Sequence, residues 1–237
     1  MDDLLKIIQK RQSTRALFQS NRKIPKKDLE KILEASRWAP TAHNMQNFEL
    51  VLVDDQKILD QIGKIKYKTS ITFIKENYKQ LSFSVAQLRR KKTGILAFGF
   101  PPAWRNPKIK PEDINDEERS SFMEELIQTS SALLFLLYDP SQRAPASEGD
   151  FLGHISLGAV MENIWLMANS LGIAVHIVSS LGGDQPAKKV KSILKIPARL
   201  KVVFAFRLGY PVEPPQFLRV RRGIKDFVSH NRFGKKF

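Results

Sequence analysis

The sequence predicts an α+β fold in which a mixed sheet is covered by helices. Four segments read as strands, near residues 48–55, 131–140, 173–180 and 200–209, and amphipathic helical patterns lie before and between them. Strands and helices do not alternate with the strict βαβ regularity of a doubly wound sheet. No internal repeat is visible, and 237 residues with 42% hydrophobic content are enough for one domain with a well-packed core.

The elements follow in order. Leu4, Leu5, Ile7 and Ile8 recur at helical spacing over residues 3–10, with Asp2 or Asp3 as the cap. Pro25 stands at a first helical position, and Leu29, Ile32, Leu33 and Ser36 continue a second helix that stops before Pro40. PTAHNMQN is a loop, and FELVLVDD is a buried strand ending in paired aspartates that cap the next helix, carried by Ile58, Leu59, Ile62 and Ile65. From about Thr69 to Lys92 the pattern is helical, polar and basic. Residues 93–116 hold four prolines and little periodicity, which predicts an irregular excursion. A helix near 117–129 precedes SALLFLLYDP, a central strand. Residues 151–171 are apolar nearly all round, the mark of a helix buried on most faces, and Gly172 caps it. IAVHIVSS is a strand, Ala187 to Leu194 a helix and LKVVFAFRLG the last strand. The remaining tail carries Phe217, Leu218, Phe227, Val228, Phe233 and Phe237 with no core of its own, so it must dock on its own subunit or on a partner.

Composition excludes several chemistries. The absence of cysteine removes disulfides, thiolate nucleophiles and iron–sulfur ligation. His43, His154, His176 and His230 are scattered, with no second ligand at helical metal spacing. Any redox chemistry therefore needs an organic cofactor. The longest apolar run, SALLFLLY at 131–138, is far below the ~18 residues that cross a bilayer, so no membrane span is expected. MDDLLKIIQKR places acids where a secretory signal carries positive charge, and the expected location is cytoplasmic. Thirty-nine Lys and Arg against 24 acids give a formal charge of +15, which suits polyanions and phosphate-bearing cofactors. The lysines are spread along helical patterns rather than clustered, as on a solvated face.

Arg11, Ser13 and Arg15 recur every second residue, so in an extended segment they point the same way and form a cradle for phosphate. The structural alternative is arginines pairing with surface carboxylates. Arg219, Arg221 and Arg222 form a second basic cluster in the tail. No Walker or GxGxxG loop is present, so side chains such as these must hold any nucleotide phosphate.

The chain resembles the FMN-dependent nitroreductase family through RQSTR at 11–15, APTAHNMQNF at 39–48, GAVMENIWLMANSLGI at 158–173 with the following VHIVS, LGYPVEPP, and RVRRGIKDFVSHNRF. The resemblance implies a mainly antiparallel sheet with helices on both faces, in an intertwined homodimer with FMN between its subunits and NADH or NADPH as cosubstrate. It implies that residues 66–116 form a variable lid and residues 211–237 an arm embracing the partner. Arg11, Ser13 and Arg15 match the family's first phosphate-binding element, and Gln12 the contact to the flavin pyrimidine edge. Arg221, with Arg219 or Arg222, matches the basic pair that closes on the same phosphate. Thr41, Ala42 and Asn44, with Gln46 beside them, match the loop that reaches the flavin from the other subunit. Val178 and Ser179 match positions whose backbone N–H groups face flavin N5 and O4.

Where the family carries Gln-Pro-Trp, this chain has Gln46, Asn47 and Phe48. His43 and His176 lie near the proposed flavin loops, either touching ligand or, more commonly for such residues, held structurally. Trp165 and Met167 read as core or interface, and Trp104 as a residue that stacks on a ligand. The implied reaction passes electrons from NAD(P)H to a nitroaromatic or quinone by a ping-pong route. Alternatives are flavin fragmentation or reductive dehalogenation on the same fold, and a basic nucleic-acid-binding protein using RRKK and RVRRGIK.

Overall fold

The computed structural model describes residues 2–66, 70–81, 83–95, 101–106, 108–115, 123–214 and 218–236. They divide into two compact units, one built from Met1–Tyr67 with Ser120–Pro214 and the other from Lys68–Arg119 with Pro215–Phe237.

The first unit is organised by four strands: β1 (Phe48–Val53), β2 (Ala132–Tyr138), β3 (Ala174–Val178) and β4 (Lys201–Gly209). They lie in the order β1-β2-β4-β3, and every neighbouring pair is antiparallel. The parallel part of the expected mixed sheet is a single bridge, Ser13 to Val175, on the outer edge of β3. Seven consecutive buried residues make β2 the centre of the sheet. Because side chains alternate along a strand, Ala132, Leu134, Leu136 and Tyr138 enter one core cluster and Leu133, Phe135 and Leu137 another. Each fully buried Leu or Phe contributes about 1.5–3 kcal/mol, so this strand alone anchors both layers.

Helices α2 (Lys26–Arg37) and α8 (Phe151–Ser170) cover the first face, through Leu29 and Ile32 and through Leu157, Val160, Ile164, Trp165 and Ala168. The opposite face is covered by α3 (Gln56–Gly63), by α7, helical over 123–128, and by α9 (Asp184–Leu194), through Leu59, Ile62, Ile127 and Val190. The helix α1 (Asp2–Lys10) begins with Asp2 and Asp3 inside its first turn rather than before it. Pro25 is the N-cap of α2, one position earlier than expected. Asp55 caps α3 as predicted, accepting from the Lys57 and Ile58 amides at 2.8 and 3.2 Å. Gly172 closes α8 at φ +72, with the Ile173 amide donating to the Ala168 carbonyl at 2.9 Å.

One sequence feature went unread, and one expectation needs correction here. By length and composition α8 is apolar enough to cross a membrane, a property hidden when only uninterrupted apolar runs are counted. Its buried residues pack on the sheet and on α2, the use a core helix makes of such a composition. The strand predicted over 173–180 ends at Val178, and Ser179–Gly182 turn into a 3₁₀ segment.

The second unit contains α4 (Ile71–Leu81), α5 (Val85–Lys91) and α6 (Pro102–Arg105). Ser84 caps α5 reciprocally with Gln87, which divides the helical pattern predicted over 69–92. Within the stretch expected to be irregular, α6 and a 3₁₀ turn at Pro111–Asp113 are ordered around a small core of Ile74, Trp104 and Ile114. Trp104 is 4% exposed and meets the edge of Phe73 at 6.3 Å, so it is a core residue of this unit, not an open stacking platform. The tail has a 3₁₀ turn at Ile224–Asp226 and a Ser229–Lys236 bridge, and Ile224, Phe227 and Phe233 are exposed. Phe217, Phe237 and the start of the helix predicted near 117–129 lie outside the described residues.

Gly182 sits where the 3₁₀ turn crosses β4, and a Cβ there would fall 2.1 Å from the Val203 carbonyl oxygen. Gly182→Ala is expected to lower stability by about 1–3 kcal/mol, read in urea unfolding as a lower midpoint at unchanged slope. An unmoved midpoint would show that the backbone yields there at little cost.

Candidate functional site

The site begins where α1 ends. The Thr14 amide donates to the Val175 carbonyl at 2.7 Å, which lays residues 11–15 along the edge of β3 as an extended segment. Alternation then sends Thr14, 1% exposed, into the protein, while Arg11, Ser13 and Arg15 are half-buried on the other side. Trp165 of α8 donates from Nε1 to the Gln12 carbonyl at 3.0 Å and fixes the same segment from below. Arg11 stacks its guanidinium 4.6 Å from the Trp165 ring centre, and its Nε lies 3.1 Å from Glu162 Oε1. That approach is an ion pair without hydrogen-bond alignment, since the Nε–H finds no acceptor in line among the described residues. Burial lowers the Arg15 guanidinium below its ordinary value.

Behind this segment lies a buried basic pair. His176 and Arg207 are cross-strand neighbours on β3 and β4, and Arg207 donates from Nη1 toward His176 Nδ1 at 3.2 Å. Burial, reinforced by the positive charges of Arg207 and Arg15, holds the imidazole well below the usual histidine range. A neutral ring that accepts at Nδ1 carries its proton on Nε2. His176 is thus a structural partner of Arg207, 6% exposed, rather than an open ligand contact.

The loop after α2 is unusual in its backbone. His43, Asn44 and Gln46 all adopt positive φ, at 51, 52 and 45 degrees, a conformation that costs non-glycine residues of order 1 kcal/mol or more each. It is held by the Ala42 amide donating to Ser156 Oγ at 2.9 Å, by the Gln46 amide on Thr41 Oγ1 at 3.1 Å, and by Gln46 Nε2 on Asn44 Oδ1 at 3.3 Å. Gln46 reverses the chain without a proline, and Asn47 beyond it is buried. Ser156 and Trp165 are nine residues apart on α8, roughly 13 Å, so this loop and residues 11–15 contact opposite ends of one helix. Beside the loop's end of α8, Tyr138 donates to Asp150, and burial together with that carboxylate pushes the phenol up to about 12.

Val178 is buried and in register with Ala205, and Ser179, the first residue of the 3₁₀ turn, is exposed. In the second unit, the Arg221 guanidinium bonds the Val220 carbonyl at 2.8 Å, Arg222 lies 5.6 Å from the Phe227 ring centre, and Arg219 is exposed.

The sequence pattern of the Nitroreductase family matches residues 8–210, a span that contains the strand 11–15, the loop 41–46, α8 and the tip of β3. The chain belongs to the Nitroreductase family. A relative from Archaeoglobus fulgidus, whose name pairs NADH dehydrogenase with NAD(P)H nitroreductase, is 23% identical over 217 residues, 92% of this chain and 90% of that one. Nitroreductase A of Vibrio parahaemolyticus superposes with a TM-score of 0.62 at 18% identity, covering 99% of this chain and 78% of that chain. A nitroreductase with bound FMN from Bacteroides fragilis superposes at 0.58 with 19% identity, covering 98% and 100%. At such identities the structural likeness establishes the fold, and here that is the four-stranded nitroreductase sheet.

Three residues beside this candidate site were not read as part of it in the sequence, Trp165 having been read as core or interface. Glu162 and Trp165, one helical turn apart, form the bed for Arg11 and could be suspected from their i, i+3 spacing. Arg207 stood in plain view as the one charge inside the apolar run VVFAFRLG.

The depressed His176 pKa has a defined sign in stability. Below the free imidazole value of 6.5 the unfolded chain binds a proton that the native chain refuses, so stability is full above that value and falls on acidification by up to about 1.4 kcal/mol per pH unit. His176→Gln is expected to flatten this dependence between about pH 7 and 5, measured by urea unfolding at each pH. Parallel slopes in both proteins would show that another group titrates.

Proposed function

We propose that this chain is an FMN-dependent oxidoreductase that passes electrons from NADH or NADPH to a small organic acceptor of the nitroaromatic or quinone type, by a ping-pong sequence in a homodimer. The observation that carries the reading is the Ser13–Val175 bridge, which sets a strand bearing two arginines and a serine beside the strand that ends at Val178 and Ser179. The donor set fits FMN. Arg11, Ser13 and Arg15 offer forked and hydroxyl donors to a terminal phosphate, and Gln12 lies among them. Val178 is three strand residues beyond the bridge, about 10 Å, a gap that a ribityl chain spans. There the backbone N–H groups of Val178 and Ser179 would serve the ring. Bound FMN supplies the hydride and electron chemistry, so no protein acid or base is required.

The dimer is supported by the layout of α8. Its two ends hold the loop with Thr41, Ala42, Asn44 and Gln46 and the strand with Arg11, while Phe151 and Ile155 are 67% and 54% exposed on its free side. A two-fold copy packed antiparallel on α8 would bring one subunit's loop to the other's strand and bury those side chains. The exposed Ile224, Phe227 and Phe233 fit an arm, residues 211–237, that embraces the partner. Its Arg219, Arg221 and Arg222 would then close on the phosphate, with residues 66–116 as the lid over the acceptor.

The visible spectrum of the purified protein tests this reading: a flavin band that bleaches on adding NADH or NADPH and returns with a quinone is expected. Arg11→Ala or Arg221→Ala should weaken FMN retention by about ten- to a hundredfold, the loss of a charge-assisted contact, while the dimer persists in gel filtration. Unchanged flavin occupancy in both variants would refute the phosphate assignment. A colourless preparation retained on DNA in a salt-sensitive way would replace the whole reading.

A further inference from the structure

Arg207 is the largest fully buried side chain among the described residues, at 0% exposure. No described carboxylate lies within ion-pair distance of it. Its contacts are instead neutral: Nε donates to Ser130 Oγ at 3.0 Å, Nη1 to His176 Nδ1 at 3.2 Å, and Nη1 and Nη2 to the Ala16 carbonyl at 3.4 and 3.3 Å. The Phe18 ring centre lies 4.4 Å from its Cζ. Two of these partners lie just after Arg15 in the chain, Ala16 next to it and Phe18 two residues further on. The guanidinium therefore fastens the backbone to the sheet at the point where residues 11–15 leave their bridge with β3.

The charge matters as much as the bonds. Burial brings the Arg207 guanidinium down to about 9, so it remains cationic at neutral pH. A charge enclosed in protein is screened far less than one in water, and its positive field therefore extends to the neighbouring segment. Arg15, whose charge also acts on His176, shares that surrounding. The protein sets two buried or half-buried guanidiniums here, and among the described residues no acid lies within ion-pair distance of Arg207, an arrangement that an anionic ligand completes.

We infer that Arg207 is a positioning residue for the strand 11–15, and that it makes this strand selective for a ligand ending in a phosphate dianion over the same ligand without it. The inference rests on the phosphate-binding reading proposed above. The probes are FMN and riboflavin, which share the ring and the ribityl chain and differ only in the phosphate. Affinity for each is measured by quenching of flavin fluorescence on protein freed of cofactor, for the wild type, Arg207→Met and Ser130→Ala. The wild type is expected to prefer FMN. Arg207→Met should lose about tenfold or more in FMN affinity while riboflavin affinity stays within about twofold, because riboflavin makes no charge-assisted bond to the strand. Ser130→Ala, which removes one acceptor of Arg207 together with the hydroxyl's bond to the Leu126 carbonyl, should shift the same ratio less. A merely structural role would lower both affinities together, and an unchanged ratio in both variants would overturn the inference while leaving the phosphate site intact. If Arg207→Met does not fold, the ratio in Ser130→Ala decides alone. A wild type that binds riboflavin as tightly as FMN would remove the phosphate reading, and this inference with it.

Discussion

The attachment of residues 11–15 to the free edge of β3 is the constraint on which the rest of the site depends. An edge strand has unpaired backbone groups that must be covered, and here the covering segment is itself the carrier of the cationic side chains. One hydrogen bond from Thr14 to Val175 and one from Trp165 to Gln12 fix its register. A slip by one residue would turn Thr14 outward and drive Arg11 and Arg15 into the core, so the phase of the side chains is specified by burial as much as by those bonds. The sheet, α8 and the basic segment thus form one mechanical unit.

Within that unit, positive charge is held close together by different means. Arg11 is balanced by Glu162 and by the face of Trp165. Among the described residues the partners of Arg207 are neutral, and His176 answers it by staying uncharged. A buried cation held by neutral groups, as Arg207 is among the described residues, gives up solvation without gaining an opposite charge. On the phosphate-binding reading proposed above, an anion entering the site would relieve that cost.

Much of the fold was legible because its central strands are apolar on both faces. SALLFLLY and VVFAFRLG have no other comfortable place than the middle of a covered sheet, and the helices that cover them carry matching stripes. The extended run of residues 11–15, with Arg11, Ser13 and Arg15 on one side, was legible from alternation. What escaped was contact between distant parts of the chain. Nothing local in the sequence says that Glu162 faces Arg11 or that Arg207 reaches Ala16, 191 positions away. Trp104 was misjudged for the same reason. Its proline-rich surroundings suggested an open loop, but Ile74 and Ile114, from either side in sequence, enclose it. The tip of β3 was drawn too long because serine tolerates both strand and turn, and only the crossing of Gly182 against Val203 decides where the strand stops.

The second unit draws on two stretches that are far apart in the chain, 68–119 and 215–237. The Lys92–Asp226 pair, at 3.0 Å, joins them across 134 positions. During synthesis the earlier stretch leaves the ribosome long before its counterpart exists, at about 5–20 residues per second. Its small cluster around Trp104 lies wholly within the earlier stretch, but the Lys92–Asp226 pair must wait until after the sheet's last strand is translated. Closure of this unit therefore trails the sheet in synthesis, and a product truncated before residue 215 would leave the unit without its second stretch.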